Sequence, residues 1–231
     1  MAQKNSHLTK EYQGLWEDHG LDAVVLKRKK KQKKTRGVPK APAGTKSLAE
    51  IQTWLGDCRR CGLCNERDKI VFGSGNPKAR ILFIGEGPGK AEDKSGVPFV
   101  GRAGVLLDKI IEAMSLTRDE VYIANIVKCR PPKNRVPTEK EIDRCLPFLQ
   151  SQIKVIQPKM IVTLGLTASS ILIGDDSPMG QLRGKFHKVV WSPSIPLMAT
   201  YHPAYLLRNP AAKKVVWEDM KQVLKKMKEF H

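Results

Sequence analysis

The stretch Ile81–Gly104, ILFIGEGPGKAEDKSGVPFVGRAG, constrains the fold of this chain more than any other. Four consecutive apolar residues, Ile81 to Ile84, show none of the polar alternation of a strand with one wet face, so they predict a strand covered on both sides, as in a parallel sheet. They empty into a loop of glycine, proline and carboxylate that gives way to a helix. In open α/β sheets ligands bind at the carboxyl ends of the strands, which is where the loop Gly85–Pro98 falls. Gly85, Gly87 and Gly89 allow backbone to approach a flat ligand, Pro88 stiffens the turn, and Glu86, Glu92 and Asp93 place carboxylates beside it. A polar βα loop with turn glycines is the plainer reading of the same residues, and the remaining segments decide between the two.

Those segments repeat the pattern. Strands are predicted at Val121–Val127 (VYIANIV), Met160–Leu164 and Pro196–Thr200, and helices at Ala103–Met114, from Thr138 towards Ile156, at Thr167–Ile173 and at Lys213–Phe230. Ser47 with Glu50 and Thr138 with Glu141 both read as capping boxes, the first opening a helix that delivers the chain to Cys58. Pro147 predicts a kink within the second capped helix. Strands alternating with helices give an α/β fold, a three-layer α/β/α sandwich around a central four-stranded parallel sheet.

Residues 1–45 differ in composition from the rest. Between Lys27 and Arg36 stand eight cations and no acid, followed by GVPKAPAG, which predicts a disordered basic arm ahead of one catalytic-sized domain at 46–231. Leu8–Gly20 has the pattern of a short helix. The formal charge of +18, of which +10 remains once those eight cations are subtracted, points to a polyanionic partner, nucleic acid above all. With no long apolar stretch and no apolar signal core, no membrane contact is expected; the reading is a cytoplasmic, nucleoid-associated monomer.

Five cysteines in a reducing compartment argue for thiolate ligands or buried thiols rather than disulfides. Cys58-x-x-Cys61 on one side and Cys129 and Cys145 on the other make four sulfur ligands. Such a set suits tetrahedral zinc or a [4Fe–4S] cluster, and the wide separation of the second pair tilts the choice towards iron–sulfur. Cys64 is a fifth candidate, so one of the five is surplus.

Taken in order, CRRC at Cys58, VFGSGNP at Val71, GEGPGKAED at Gly85, GVPFVGRAG at Gly96, ANIVKCRPPKNRVP at Ala124, Cys145 and TYHPAYLLRNP at Thr200 make the chain resemble the family 4 uracil-DNA glycosylases, the iron–sulfur branch of their superfamily, from about Ser47 to Phe230. The resemblance implies excision of uracil from DNA by cleavage of the N-glycosidic bond, which leaves an abasic site. It also implies a [4Fe–4S] cluster on Cys58, Cys61, Cys129 and Cys145, with Cys64 the odd one. The uracil pocket would be built from Gly85, Glu86, Gly87, Phe99, Asn125 and His202. In that reading Phe99 stacks on the flipped ring, Asn125 presents a donor and an acceptor that match uracil O4 and N3–H, and His202 donates to the charge that grows on O2. The water-directing group is open: the wider superfamily places an Asp where this chain has Gly87, and family 4 an Ala, so Glu86 or Glu92 orients water or guards against the 5-methyl of thymine. Leu206 or Leu207 would wedge into the base stack, with Arg208 on phosphate.

Two other functions compete. A non-catalytic nucleic-acid-binding protein with a structural metal accounts for the charge and cysteines but leaves GEGPG and TYHP unexplained. A relative that binds uracil-DNA covalently would carry a basic insertion ending in histidine after the second strand, and KCRPPKNRVP has no histidine.

Overall fold

The structure, a computed structural model, describes Pro42 and residues 44–230; most of the basic arm, including its cationic run and Leu8–Gly20, lies outside the described residues. Six strands make one sheet: β1 (Ser74–Gly75), β2 (Ile81–Gly85), β3 (Tyr122–Asn125), β4 (Met160–Leu164), β5 (Phe186–Val189) and β6 (Ser192–Thr200). Their order is β1-β3-β2-β4-β6-β5. The four strands read from sequence form its parallel centre, with β3, β2, β4 and β6 side by side. The sheet is nevertheless six-stranded rather than four-stranded, because an antiparallel strand closes each edge. Neither edge has an apolar signature: β1 is two residues long, and β5, FHKV, fully buries only Val189.

Eight helices are described: α1 (Leu48–Leu55), α2 (Lys90–Ser95), α3 (Arg102–Ala113), α4 (Glu139–Ile156), α5 (Leu166–Ile173), α6 (Met179–Leu182), α7 (Pro203–Arg208) and α8 (Ala212–Met227). The fully buried run of β2 now has its explanation. Leu82 and Ile84 face one core with Ile51, Phe148, Leu149 and Leu172 from α1, α4 and α5, whereas Ile81 and Phe83 face a second core with Leu107, Ile111, Met220 and Val223 from α3 and α8. Alternate side chains of one strand therefore enter opposite layers of a sandwich.

Local chemistry sets the helix ends. Thr138 Oγ1 accepts from the Glu141 amide and the Glu141 carboxylate accepts from the Thr138 amide, a complete capping box worth about 1 kcal/mol. At α1 the box is shifted: Ser47 Oγ accepts from the Glu50 amide, but the Glu50 carboxylate takes the amide of Lys46, one residue earlier than expected. Pro147 sits inside an uninterrupted 18-residue α4. The helix continues past it, with Ser151 Oγ donating to the Pro147 carbonyl. Among the described residues no helix is long and apolar enough to cross a membrane.

Candidate active site

The parallel register brings Gly85 of β2 level with Asn125 of β3, so the last residues of both strands open on the same edge of the sheet. A Cβ on Gly85 would stand 2.5 Å from Asn125 Oδ1 and 2.6 Å from Phe99 Cζ, so only glycine lets the amide and the ring meet there. The Phe99 ring in turn lies 5.6 Å, centroid to centroid, from the His202 imidazole at an interplanar angle of 31°. Gly85, Phe99, Asn125 and His202, distant in sequence, thus converge at the carboxyl edge.

Asn125 is 2% exposed, and its Oδ1 is buried with no hydrogen-bond partner. Buried acceptors are seldom left unpaired, so this oxygen marks a place where a ligand donor belongs. Its backbone is held from behind. The Nζ of Lys128, fully buried, donates to the Asn125 carbonyl at 2.9 Å and to Gln152 Oε1 at 2.7 Å, and Gln152 Nε2 donates to the Phe72 carbonyl. Burial lowers the Lys128 ammonium to about 8.

His202 caps α7: its Nδ1 accepts the Ala204 amide at 3.1 Å, which places the proton of the neutral ring on Nε2. Burial first, and the charge of Arg208 second, lower its pKa to about 4, against a smaller opposing pull from Glu92. The imidazole is therefore neutral at physiological pH and keeps one N–H to donate. Gly165, at φ +93°, lets the β4–α5 turn lie on this ring, since a Cβ there would come within 3.1 Å of His202 Cβ. The turn is tied to β6 by the Gly165 amide donating to the Thr200 carbonyl.

The carboxylates separate by environment. Glu92 is spent on backbone: Oε2 accepts from the Gly89 amide, and Oε1 from the amides of Val100 and Gly101 at 3.0 and 2.9 Å. One side chain thus ties the N-cap of α2 to the far end of the loop that carries Phe99, just before α3. Glu86 is different, a half-buried carboxyl whose pKa is raised by burial and partly restored by a hydrogen bond from Thr167 in the first turn of α5. Gly87 packs closely, a Cβ there falling 2.8 Å from Val127 Cγ2.

Of the two wedge candidates, Leu206 is 1% exposed and belongs to the core beneath α7, which corrects the expectation that it enters DNA; Leu207 is 38% exposed and Arg208 is exposed beside it. Leu166, at the start of α5 next to Gly165, is also exposed. As an apolar residue opening a helix, it carried no sequence signal.

Four of the five cysteines, Cys58, Cys61, Cys129 and Cys145, lie within one another's electrostatic reach, and Lys128 joins the segment of Cys145 to the Asn125 strand. Cys61 feels the fields of Cys58 and Cys64, Cys129 those of Cys61 and Cys58, and Cys145 those of Cys129 and Cys61. Burial pushes the Cys129 thiol up to about 11 and Cys145 to about 12. Two N–H groups aim at sulfur, the Arg67 guanidinium at Cys129 Sγ (3.3 Å) and the Lys128 amide at Cys145 Sγ (3.2 Å). Cys64 instead donates to the Asn65 side chain. Among the described residues no group of three or more His, Cys, Asp or Glu stands in a metal-holding arrangement.

Comparison with known proteins places this sequence among relatives. The family model described as the Uracil DNA glycosylase superfamily matches residues 72–221. The chain is 45% identical over 185 residues to the type-4 uracil-DNA glycosylase of Sulfurisphaera tokodaii, covering 77% of this chain and 83% of that one. It is 46% identical over 172 residues to the corresponding protein of Saccharolobus solfataricus (72% and 80% covered) and 44% identical over 168 residues to that of Thermotoga maritima (71% and 86% covered).

Proposed function

The chain belongs to the uracil DNA glycosylase superfamily, in its type-4 branch, and is an enzyme of uracil-excision DNA repair; from that premise we propose how its own residues divide the work. The observation that carries the assignment is the orphaned Asn125 Oδ1. A flipped uracil supplies its missing donor, N3–H, while the amide Nδ2 meets O4; cytosine offers an acceptor at N3 and a donor at N4, the wrong way round. Phe99 covers the ring on one face.

As the C1′–N1 bond breaks, its electron pair stays with uracil and charge grows on O2. His202 Nε2–H is the donor for that oxygen. A ring with pKa about 4 donates without surrendering its proton, so it stabilises the leaving anion electrostatically. Water attacks C1′, its oxygen completing the sugar and its proton passing to a carboxylate or to solvent. Glu86 is the group for that water: it is half-buried, unengaged by backbone amides, and its raised pKa makes it a stronger base than an ordinary carboxylate. Glu92, with its oxygens bound to three amides, positions the loop. Leu207 fills the space the base vacates and Arg208 holds phosphate.

The four cysteines fit a [4Fe–4S] cluster in the chemistry of the donor set: four sulfurs within electrostatic reach of one another, two of them receiving N–H hydrogen bonds, with Cys64 hydrogen-bonded to the Asn65 side chain instead. Held by Cys58, Cys61, Cys129 and Cys145, such a group would supply a cross-link among three segments and no reacting atom. The basic surface makes DNA the partner, engaged by a monomer.

The test is single-turnover release of free uracil from a uracil-containing oligonucleotide, with Asn125→Asp as the diagnostic variant. Asp replaces the amide donor by a second acceptor, so uracil excision should fall while the excision of cytosine relative to uracil rises. Unchanged discrimination against cytosine removes Asn125 as the edge reader.

A further inference from the structure

Phe99 is an anomaly: a phenylalanine at φ +53°, a left-handed conformation rare for a bulky side chain, at the centre of the site. Something must hold it. Arg118, nineteen residues on, donates from Nη1 to the Phe99 carbonyl at 3.0 Å and from Nη2 to the Pro98 carbonyl. Asp108 of α3 anchors the same guanidinium at 2.6 Å. The Pro98 carbonyl belongs to the peptide plane before the Phe99 Cα and the Phe99 carbonyl to the plane after it. One planar fork therefore fixes both planes and with them φ and ψ. The second plane is gripped from its other end as well, because the Val100 amide donates to Glu92 Oε1. Gly104 makes room for the arrangement, since a Cβ there would fall 2.0 Å from the Phe99 carbonyl oxygen.

We propose that Arg118, held by Asp108, is a positioning residue for uracil excision: it locks the left-handed backbone that seats the Phe99 ring against Gly85 and beside His202. This rests on the reading of Phe99 as the stacking ring. Without the fork the backbone at 99 relaxes towards negative φ, the Cα–Cβ vector turns, and the ring leaves the pocket although the sheet stays intact. Lysine cannot substitute fully, because one ammonium does not reproduce a planar two-carbonyl fork.

The test is a double-mutant cycle in the full chain, reading single-turnover uracil excision at saturating single-stranded oligonucleotide together with the thermal midpoint. Phe99→Ala should slow excision. In the parent background Arg118→Ala should slow it about tenfold or more and Arg118→Lys by less, whereas in the Phe99→Ala background either change should cost under twofold, the ring being gone. Equal losses in both backgrounds overturn the clamp and make Arg118 a general stability residue. If Phe99→Ala is slow but both Arg118 variants excise at the parent rate, the clamp fails while the stacking role stands. If Phe99→Ala excises at the parent rate, the stacking role fails and takes the clamp with it. Should Arg118→Ala not fold, Arg118→Lys, which keeps a cation beside Asp108, carries the same comparison.

Discussion

His202 shows how one residue's surroundings decide its chemistry. Its Nδ1 is spent on the cap of α7 and its ring is desolvated, so the remaining N–H is fixed in place and the ring stays neutral well below the usual histidine range. His202→Ala should therefore leave binding of uracil-DNA nearly intact and lower the single-turnover rate by on the order of 10²-fold or more, as for a donor felt mainly in the transition state. Equal loss of binding and rate would make it a binding residue instead. The same environment has a stability consequence. With a folded pKa of about 4 against about 6.5 unfolded, the unfolded chain binds the extra proton first, so stability falls as pH drops from about 6.5 to 4. His202→Asn keeps a capping acceptor and does not titrate in this range. The parent protein should thus lose more of its urea midpoint between pH 7 and 4.5 than this variant does; parallel curves would refute the depressed pKa.

At the scale of elements, the chain joins a rigid parallel centre to loops tied by single side chains. Glu92 is the plainest tie, closing the turn before α2 and the start of α3 with three amide hydrogen bonds. Glu92→Ala should cost about 1–3 kcal/mol and specifically expose the amides of Val100 and Gly101, visible as lost hydrogen-exchange protection there with the β2 and β4 amides unchanged. Retained protection at both would show that the loop is held by something else. The contrast between Glu92 and β2 also shows what could be read without coordinates. Ile81–Ile84 announces a doubly covered strand because burial on two faces forces apolar residues at every position, and the capping box at Thr138 announces itself by its spacing. The placement of Asn125 and His202 at the carboxyl edge was legible because the first ends a legible strand and the second follows one. The edges β1 and β5 were not, since an edge strand needs no apolar run. A carboxylate in a glycine-rich loop looks alike whether it orients water or binds amides, so Glu92 was read for chemistry when its geometry is that of a brace. Arg118 left no trace, because nothing in the spacing of an arginine from a phenylalanine nineteen residues earlier shows that one holds the other's backbone.

Over the whole molecule, the proposed cluster would join separate segments, and the positive charge would extend the reach towards DNA. The candidate cluster ligands come from the exit of α1, the chain after β3 and the middle of α4, so Cys129→Ala should lose iron and lower the thermal midpoint while Cys64→Ala does neither. Iron retained in the first variant or lost in the second would reassign the ligands. The domain that carries the site is itself basic, because residues 46–231 hold 30 of the 41 Lys and Arg against 19 of the 23 Asp and Glu, a net +11. The arm would therefore add affinity to a domain whose own charge already favours the duplex; it would not create that attraction. Each of its cations that meets a phosphate releases a counterion and steepens the salt dependence of binding by about 0.9 per contact on B-form DNA, so full engagement of all eight would account for a slope of about 7. Deleting residues 1–45 should accordingly weaken binding most at low salt and flatten log Kd against log salt by that amount if the Lys27–Arg36 run supplies the arm's phosphate contacts. The excision rate at saturating DNA should persist, because the residues of the site all lie beyond position 84. The measurement is a pair of salt titrations, full chain against truncated chain on one oligonucleotide, with single-turnover excision run alongside. An unchanged slope would assign the arm to something other than DNA, and a lost excision rate would place part of the catalytic machinery within it.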